Sequence, residues 1–471
     1  MFEAPERDGL HDSIVGGLAG FAGRLTHAEL PQTTLHAGKR VLLDALGCAV
    51  NAYDFPPVRA LRRLAGTASS TRPATLLGTR TTTTPDLAAL VNGGMIRCLD
   101  FNDDYFGSKS TRAHGDTGPH PSDNIGGVVA AAQMAGANGA ETLLGLVLAY
   151  EIAGQLVDEV VLRGNGWDHP IIHSVATAVA SARLLGLNEQ RTANAIRLAV
   201  VPNICLYETR VGHISHWKGL AGPNGSRAGL FATLLAEAGI TGPDLAFEGP
   251  RGFMKQLGHQ FTLGPWGDEV PPFRIENTYF KQFPLRYEMQ LPVQMALRLR
   301  EQVDAADIRA MRVFMEHKSV TTRVAEPALW RPDNRETADH SGPYLIAAAL
   351  MDGRVDEGTF EESRYRDTDL LAVVDTIELI EDLEYTAAFP WRMACRFEIE
   401  LGDGRTVTVE GDRPKGHPAD PLSDDELDAK FLAQTEPWLG AARAGQLREV
   451  IRNLEAEPSL DRLFDLAVVD R

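Results

Sequence analysis

Cysteine is scarce in this sequence, and so is positive charge. The four cysteines, Cys48, Cys98, Cys205 and Cys395, stand far apart and form no C-x-x-C pair. That excludes a zinc ribbon and a thioredoxin-type site at the level of motif. They read as small buried residues in a reducing compartment. Lys and Arg number 46 against 64 Asp and Glu, for a net charge of −18. Such a chain repels phosphate backbones and anionic bilayers, so neither nucleic acid nor a membrane is expected as a partner. Long apolar runs are missing too. The stretch 142–157 is broken by Gly145, Tyr150, Glu151 and Gly154, and is too short and polar to span a bilayer. Residues 1–12 are acidic, with no basic start leading into an apolar run, so no signal peptide is expected and a cytoplasmic location is. H-E-x-x-H, the P-loop order, G-x-S-x-G and a strand-borne G-x-G-x-x-G are all absent, and no metal site is expected.

What remains is ordinary globular material. The 471 residues are 44% hydrophobic and 23% charged, enough for two or three domains or one large one with an insertion. No internal repeat or low-complexity segment interrupts them. Apolar residues recur at helical spacing over 36–49 and 86–99. The stretches 124–135, 141–157, 173–185, 190–199 and 226–238 are rich in Ala, Leu and Val with small-residue gaps, which suits closely packed helices. Pro265, Pro271 and Pro272 mark a change of character. Beyond them 307–316, 376–381 and 395–401 alternate as strands do, and Asp403-Gly404 signals a hairpin. Helical patterns return at 423–433 and 441–454. The predicted fold is mainly α: an all-helical body (1–270 plus 413–471) with an inserted smaller α+β lid domain (271–412) carrying an antiparallel sheet.

Five polar segments stand out. Leu99-Asp100-Phe101-Asn102-Asp103-Asp104 puts three acids just beyond an apolar helix, and His120-Pro121-Ser122-Asp123-Asn124 opens the next one. Helix capping by Ser122 and Asp123 is the plain reading, a functional loop the other. Gly166-Trp167-Asp168-His169-Pro170 offers a His that an adjacent Asp could orient, or merely a turn closed before proline. Residues 213–227 combine Lys218, Gly222, Gly225 and Arg227, either an anion-binding glycine loop or a surface loop with solvated cations. Residues 279–288 interleave aromatics with Lys281 and Arg286, as a clamp for a small anion or as hinge packing. Asp339-His340-Ser341-Gly342-Pro343-Tyr344 enters an apolar helix.

The order of these segments resembles the MmgE/PrpD family, which includes 2-methylcitrate dehydratases and the similar cis-aconitate decarboxylases. Its marks are L-D-F-N-D, H-P-S-D-N, G-x-D-H with L-L-G-L, W-K-x-x-A-G, F-K-x-F-P and D-H-x-x-x-Y. They stand here at 99–103, 120–124, 166–169 with 184–187, 217–222, 280–284 and 339–344, covering about residues 10–440. The resemblance implies a helical body with a lid, a homodimer, no metal or organic cofactor, and a small-molecule carboxylate substrate bound between body and lid. It also implies catalytic roles for Asp100, His120, His169, Lys218, Lys281 and Tyr344, with Asp104, Arg227, Glu288 and His340 as substrate-binding candidates. The expected reaction is dehydration of a small β-hydroxy polycarboxylate. Decarboxylation, epimerisation of an iminodisuccinate-like acid, and a non-catalytic acid-binding relative are the alternatives.

The chemistry of these residue types fits. Removing a proton α to a carboxylate piles negative charge on that carboxylate, and Lys218 and Lys281 could stabilise it in a closed cleft. His169 or His120 could accept the α-proton or protonate the departing hydroxyl. Three features depart from the family pattern: the long stretch 105–119 with Lys109, Arg112 and His114, Asp104 where many relatives carry Thr, and Glu288 where many carry His. Two extra carboxylates near a polyanion suggest a substrate with fewer carboxylates, or one bearing an amino or imino nitrogen.

Overall fold

The computed structural model describes residues 12–107, 118–317, 319–320 and 326–470. Lys109, Arg112 and His114, singled out above, lie outside the described residues. The helical half is built from α1 (Gln32–Asn51), α2 (Pro85–Arg97), α3 (Ile125–Ala135), α4 (Gly139–Glu159), α5 (Pro170–Leu184), α6 (Glu189–Val200) and α7 (Ala221–Glu237). Asn138 and Glu141 form a reciprocal capping box that starts α4. By length and hydropathy α4 could cross a membrane, but 89% of that window is buried inside the protein, where it serves as the central core helix.

Small residues set how closely these helices approach. A Cβ on Gly225 of α7 would come within 2.2 Å of the Pro170 carbonyl at the start of α5. One on Gly222 would come within 1.8 Å of Asp123 Oδ2. These glycines therefore do not form an anion-binding loop. Lys218 lies in a single 3-10 turn, His216–Gly219, and Gly222 and Gly225 are already helical. Their lack of a side chain lets α7 settle onto its neighbours.

The smaller α+β unit contains α8 (Gln290–Leu299), β1 (Ile308–Met315), α9 (Gly342–Asp352), α10 (Thr368–Val374), β2 (Ile377–Glu381), β3 (Cys395–Leu401) and β4 (Thr406–Gly411). The sheet order is β2-β1-β3-β4. The hairpin at Asp403-Gly404 forms as expected, with Gly404 at φ 85°. The sheet is mixed rather than antiparallel, because β1 and β2 pair in parallel. The chain between them runs through α9 and α10, and a crossover of that kind delivers its second strand in the same direction. The chain then returns to helix in α11 (Asp424–Leu439) and α12 (Ala441–Arg452).

Two large apolar cores result, beside two small clusters among the described residues. One takes residues from Ile14 to Phe280 and again from Leu422 to Val469. The other spans Leu285 to Leu401. Backbone bonds tie the two halves together. Asp104 and Tyr279 exchange N–H···O bonds of 2.8 and 3.0 Å. Lys430 of α11 reaches into the first core, where its ammonium donates to Asp44 Oδ1 at 2.5 Å and to the Phe101 carbonyl at 2.8 Å.

Candidate active site

The acidic segment after α2 latches onto the segment that opens α3. Asp103 accepts from the Ser122 N–H at 3.2 Å and from the Tyr150 hydroxyl at 2.7 Å, and Asn102 Nδ2 donates to Ser122 Oγ at 2.7 Å. Asp103 and Asn102 are therefore structural. Asp100, between them and α2, has φ 52°, the one positive-φ non-glycine backbone among the described residues. Aspartate tolerates that left-handed conformation better than most, and such residues gather where the surroundings hold them in place.

Three cations hold Asp100. Its Oδ1 accepts from Arg97 Nη1 at 2.6 Å and Lys281 Nζ at 3.0 Å, and its Oδ2 lies 3.1 Å from Lys218 Nζ. Burial alone would raise its pKa, but Lys218, Lys281 and Arg97 outweigh that and hold the carboxyl well below the usual range. Lys281 arrives from the other half of the chain, two residues beyond the Asp104–Tyr279 bridge. Burial depresses the Lys218 ammonium to about 8, against the opposing pull of Asp100 and Asp339.

His120 and His169 are almost completely buried, with ring centres 6.0 Å apart. The hydrogen-bond network assigns their tautomers. His120 Nδ1–H donates to the Asp103 carbonyl at 2.5 Å, leaving Nε2 to accept from Arg97 Nη2 at 2.8 Å. His169 Nε2 accepts from Arg210 Nη2 at 3.2 Å, and its Nδ1 lies 3.3 Å from Asp168, which also grips Arg210. Burial, reinforced by Arg97 at His120 and by Arg210 at His169, holds both rings well below the usual imidazole range. Both are neutral at pH 7 and carry a lone pair. Asp104 is the reverse case: burial first, then Glu288 and Asp100, raise its carboxyl well above the usual range against the pull of Lys281 and Arg97.

These groups surround one cavity of about 110 Å³ between the two halves. Asp100, Asp104, His120, His169, Lys218, Lys281, Glu288 and His340 all line it. Six cations (Arg97, Arg163, Arg210, Lys218, Lys281 and Arg286) meet four carboxyl groups there (Asp100, Asp104, Glu288 and Glu326), in a chain with a net charge of −18. This is the local reversal that an anionic ligand needs.

Two residues expected at the site are elsewhere. Tyr344 is fully buried in the second core and donates its hydroxyl to the Thr359 carbonyl. It is the third residue of α9, whereas His340 precedes the helix cap Ser341. The four-residue spacing between them is therefore not a helical turn, and the two side chains do not share a face. Arg227 is well inside α7, where it donates to Asn224 and lies 3.7 Å from Asp86.

Arg97, Arg210 and the Asp123–His173 pair went unrecognised in the sequence. Arg97 looks like an ordinary basic last turn of α2. Arg210 sits in an aperiodic stretch with no motif. His173 had a readable signal, since it follows His169 by four residues. Its Nδ1 accepts from Asn124 at 3.2 Å, and its Nε2 faces Asp123 Oδ2 at 3.5 Å. Burial raises Asp123 to about 7 against the pull of Arg97, and lowers His173 to about 3. The ligand-type atoms of Asp123, His169 and His173 come within 4.8 Å of one another, as do those of Asp100, Asp339 and His340. Arg210 already donates into the first cluster and Lys218 into the second, and these built-in charges oppose a bound dication.

Residues 16–265 match the MmgE/PrpD N-terminal domain and residues 283–456 the MmgE/PrpD C-terminal domain. The chain belongs to the MmgE/PrpD family. Among curated relatives, 2-methylcitrate dehydratase of Escherichia coli (strain K12) is 30% identical over 413 residues, 80% of each chain. The enzyme of that name from Salmonella typhimurium (strain LT2) is 31% identical over 408 residues, again 80% of each. The cis-aconitate decarboxylase-like protein oryM of Aspergillus oryzae is 22% identical over 489 residues, 96% of this chain and 97% of its own. The two MmgE/PrpD domain matches include every cavity residue named above except Lys281, which falls between them.

Proposed function

We propose that this MmgE/PrpD protein is a cofactor-independent hydro-lyase that dehydrates a small β-hydroxy polycarboxylate in the cavity between a helical body and an α+β lid. The single observation that carries this reading is one cavity that brings His169 and Asp104 together with Lys218 and Lys281. The two ammonium groups take the substrate carboxylate next to the acidic C–H, where charge develops. His169 Nε2, released from its Arg210 donor by the incoming substrate, accepts the α-proton, and Asp168, beside Nδ1, stabilises the imidazolium that forms. The C–O bond then breaks, a C=C bond forms, and the departing hydroxide takes the Asp104 proton and leaves as water. Solvent exchange returns the proton from His169 to Asp104. Asp100 anchors the two lysines and does not react.

Incubating purified protein with β-hydroxy di- and tricarboxylates should give a product 18 mass units lighter that absorbs in the ultraviolet as an alkene. Release of carbon dioxide would instead favour the decarboxylase reading suggested by the Aspergillus relative. An unchanged mass with inverted stereochemistry would favour an epimerase, and acid binding without turnover a non-catalytic relative.

The alkaline limb has a defined direction. Lys218 is a cation below about pH 8 and neutral above it. The kcat/KM should therefore fall as pH rises through 8, mainly through KM. Lys218→Arg, whose guanidinium stays charged, should shift that limb upward. A limb that stays in place in this variant removes Lys218 from substrate binding.

The protein is further read as a cytoplasmic homodimer. Its four cysteines are unpaired, as a reducing compartment requires. Ile204, Leu206 and Val201 are 75%, 57% and 56% exposed on one stretch of chain, an apolar strip that a second copy would cover. Sedimentation that returns a monomer overturns the dimer.

A further inference from the structure

Arg286 and Glu288 both line the cavity and are both largely buried. Arg286 Nε donates to Glu288 Oε2 at 3.0 Å and Nη2 donates to Oε1 at 2.7 Å. Two parallel N–H···O bonds of this kind are how a guanidinium grips a ligand carboxylate. The chain here supplies the carboxylate itself, from two residues away. Arg286 Nη1 is buried and has no hydrogen-bond acceptor among the described residues.

We infer that Glu288 takes, from within the chain, the place that a third substrate carboxylate would occupy on Arg286, so that the cavity selects a dicarboxylate over a tricarboxylate. The inference rests on the reading of this cavity as a polycarboxylate site. It replaces the simple repulsion expected from the sequence. Burial raises the Asp104 carboxyl well above its usual range, which weakens any repulsion of the substrate by that group. Glu288 acts by occupation: its negative charge is already matched by Arg286. A third carboxylate would have to displace Glu288 and leave a buried carboxylate without its bidentate partner, or enter without a guanidinium of its own. Lys218 and Lys281 stay in place on Asp100 in either case, so binding of the first carboxylate is unaffected.

The test is equilibrium binding of two unreactive acids, glutarate and propane-1,2,3-tricarboxylate, measured by calorimetry on the purified full-length protein. The unaltered protein should bind glutarate about tenfold or more tighter than the tricarboxylate. Glu288→Gln frees the Arg286 fork and should raise tricarboxylate affinity about tenfold or more, with glutarate changed by less than about threefold. In the double variant Arg286→Gln/Glu288→Gln that gain should vanish. An unchanged ratio in Glu288→Gln, or a gain that persists in the double variant, overturns the inference. Should the variants fail to fold, the unaltered protein still decides, because equal affinity for the two acids overturns it. A ratio as expected, with no hydroxy acid turned over, sinks the hydro-lyase reading alone. Binding of neither acid sinks both.

Discussion

Replacing His169 with Gln is expected to lower turnover by about 10²–10⁴-fold, the usual contribution of a positioned general base, while leaving the fold intact. The imidazole is nearly inaccessible, neutral, and placed between Asp168 at one nitrogen and Arg210 at the other. Gln preserves polarity and much of the volume but cannot accept a proton at any working pH. Single-turnover measurement with a hydroxy acid that the unaltered protein dehydrates would show the loss directly. A melting temperature close to that of the parent would show that chemistry, not structure, had failed. His173→Gln is the control: its Nδ1 is committed to Asn124 and it is absent from the cavity lining, so it should cost no more than about tenfold. A His169→Gln protein that kept a tenth of the parent rate would transfer the role of base to His120.

Asp100→Asn should be damaging in a different way. Asp100 is 1% exposed, and Arg97, Lys218 and Lys281 share its single carboxylate. Removing its charge leaves three cations crowded together with little solvent to screen them. Breaking a buried ion cluster by removing one partner typically costs about 3–5 kcal/mol, and denaturant unfolding should register a loss of that order. Turnover should also fall by about a hundredfold or more, because both lysines lose the anchor that aims them. The pH dependence has a definite sign. Asp100 has a folded pKa well below its unfolded value, so its contribution is fully present above the unfolded pKa and disappears as pH falls through the folded one. The gap in stability between parent and variant should therefore be wide at neutral pH and close only in strong acid. Unfolding free energies that agree within about 1 kcal/mol at pH 7 would show that the cations are compensated elsewhere.

Much of this architecture was legible because local patterns and tertiary demands agree. Segments 124–135 and 173–185 announced α3 and α5 through runs of small apolar residues, and Asp403-Gly404 announced the β3–β4 hairpin. Sheet direction was not legible: 307–316 and 376–381 look alike whether their strands run parallel or antiparallel, and only the intervening helices decide. At the site, motif order was enough to single out Asp100, His120, His169, Lys218 and Lys281 as one set, although the cavity gathers them from distant parts of the chain. It failed where a residue's direction depends on helix phase. Tyr344 and Arg227 sit in the right segments, yet each points away because its helix begins a few residues earlier. Arg97 and Arg210 were invisible for the opposite reason. Nothing local distinguishes an arginine that supports a buried carboxylate or imidazole from one on the surface.

The bond from Lys430 to the Phe101 carbonyl and Asp44 also bears on how the protein is made. Synthesis runs from the N-terminus, so every cavity-lining residue has been joined to the chain before Lys430 is. Until α11 arrives, the turn that carries Asp100 lacks its outer support and Asp44 lacks its cation. A nascent chain stalled before that helix would hold all the reacting groups in loose register, and the enzyme would gain its activity only as its final helices fold back.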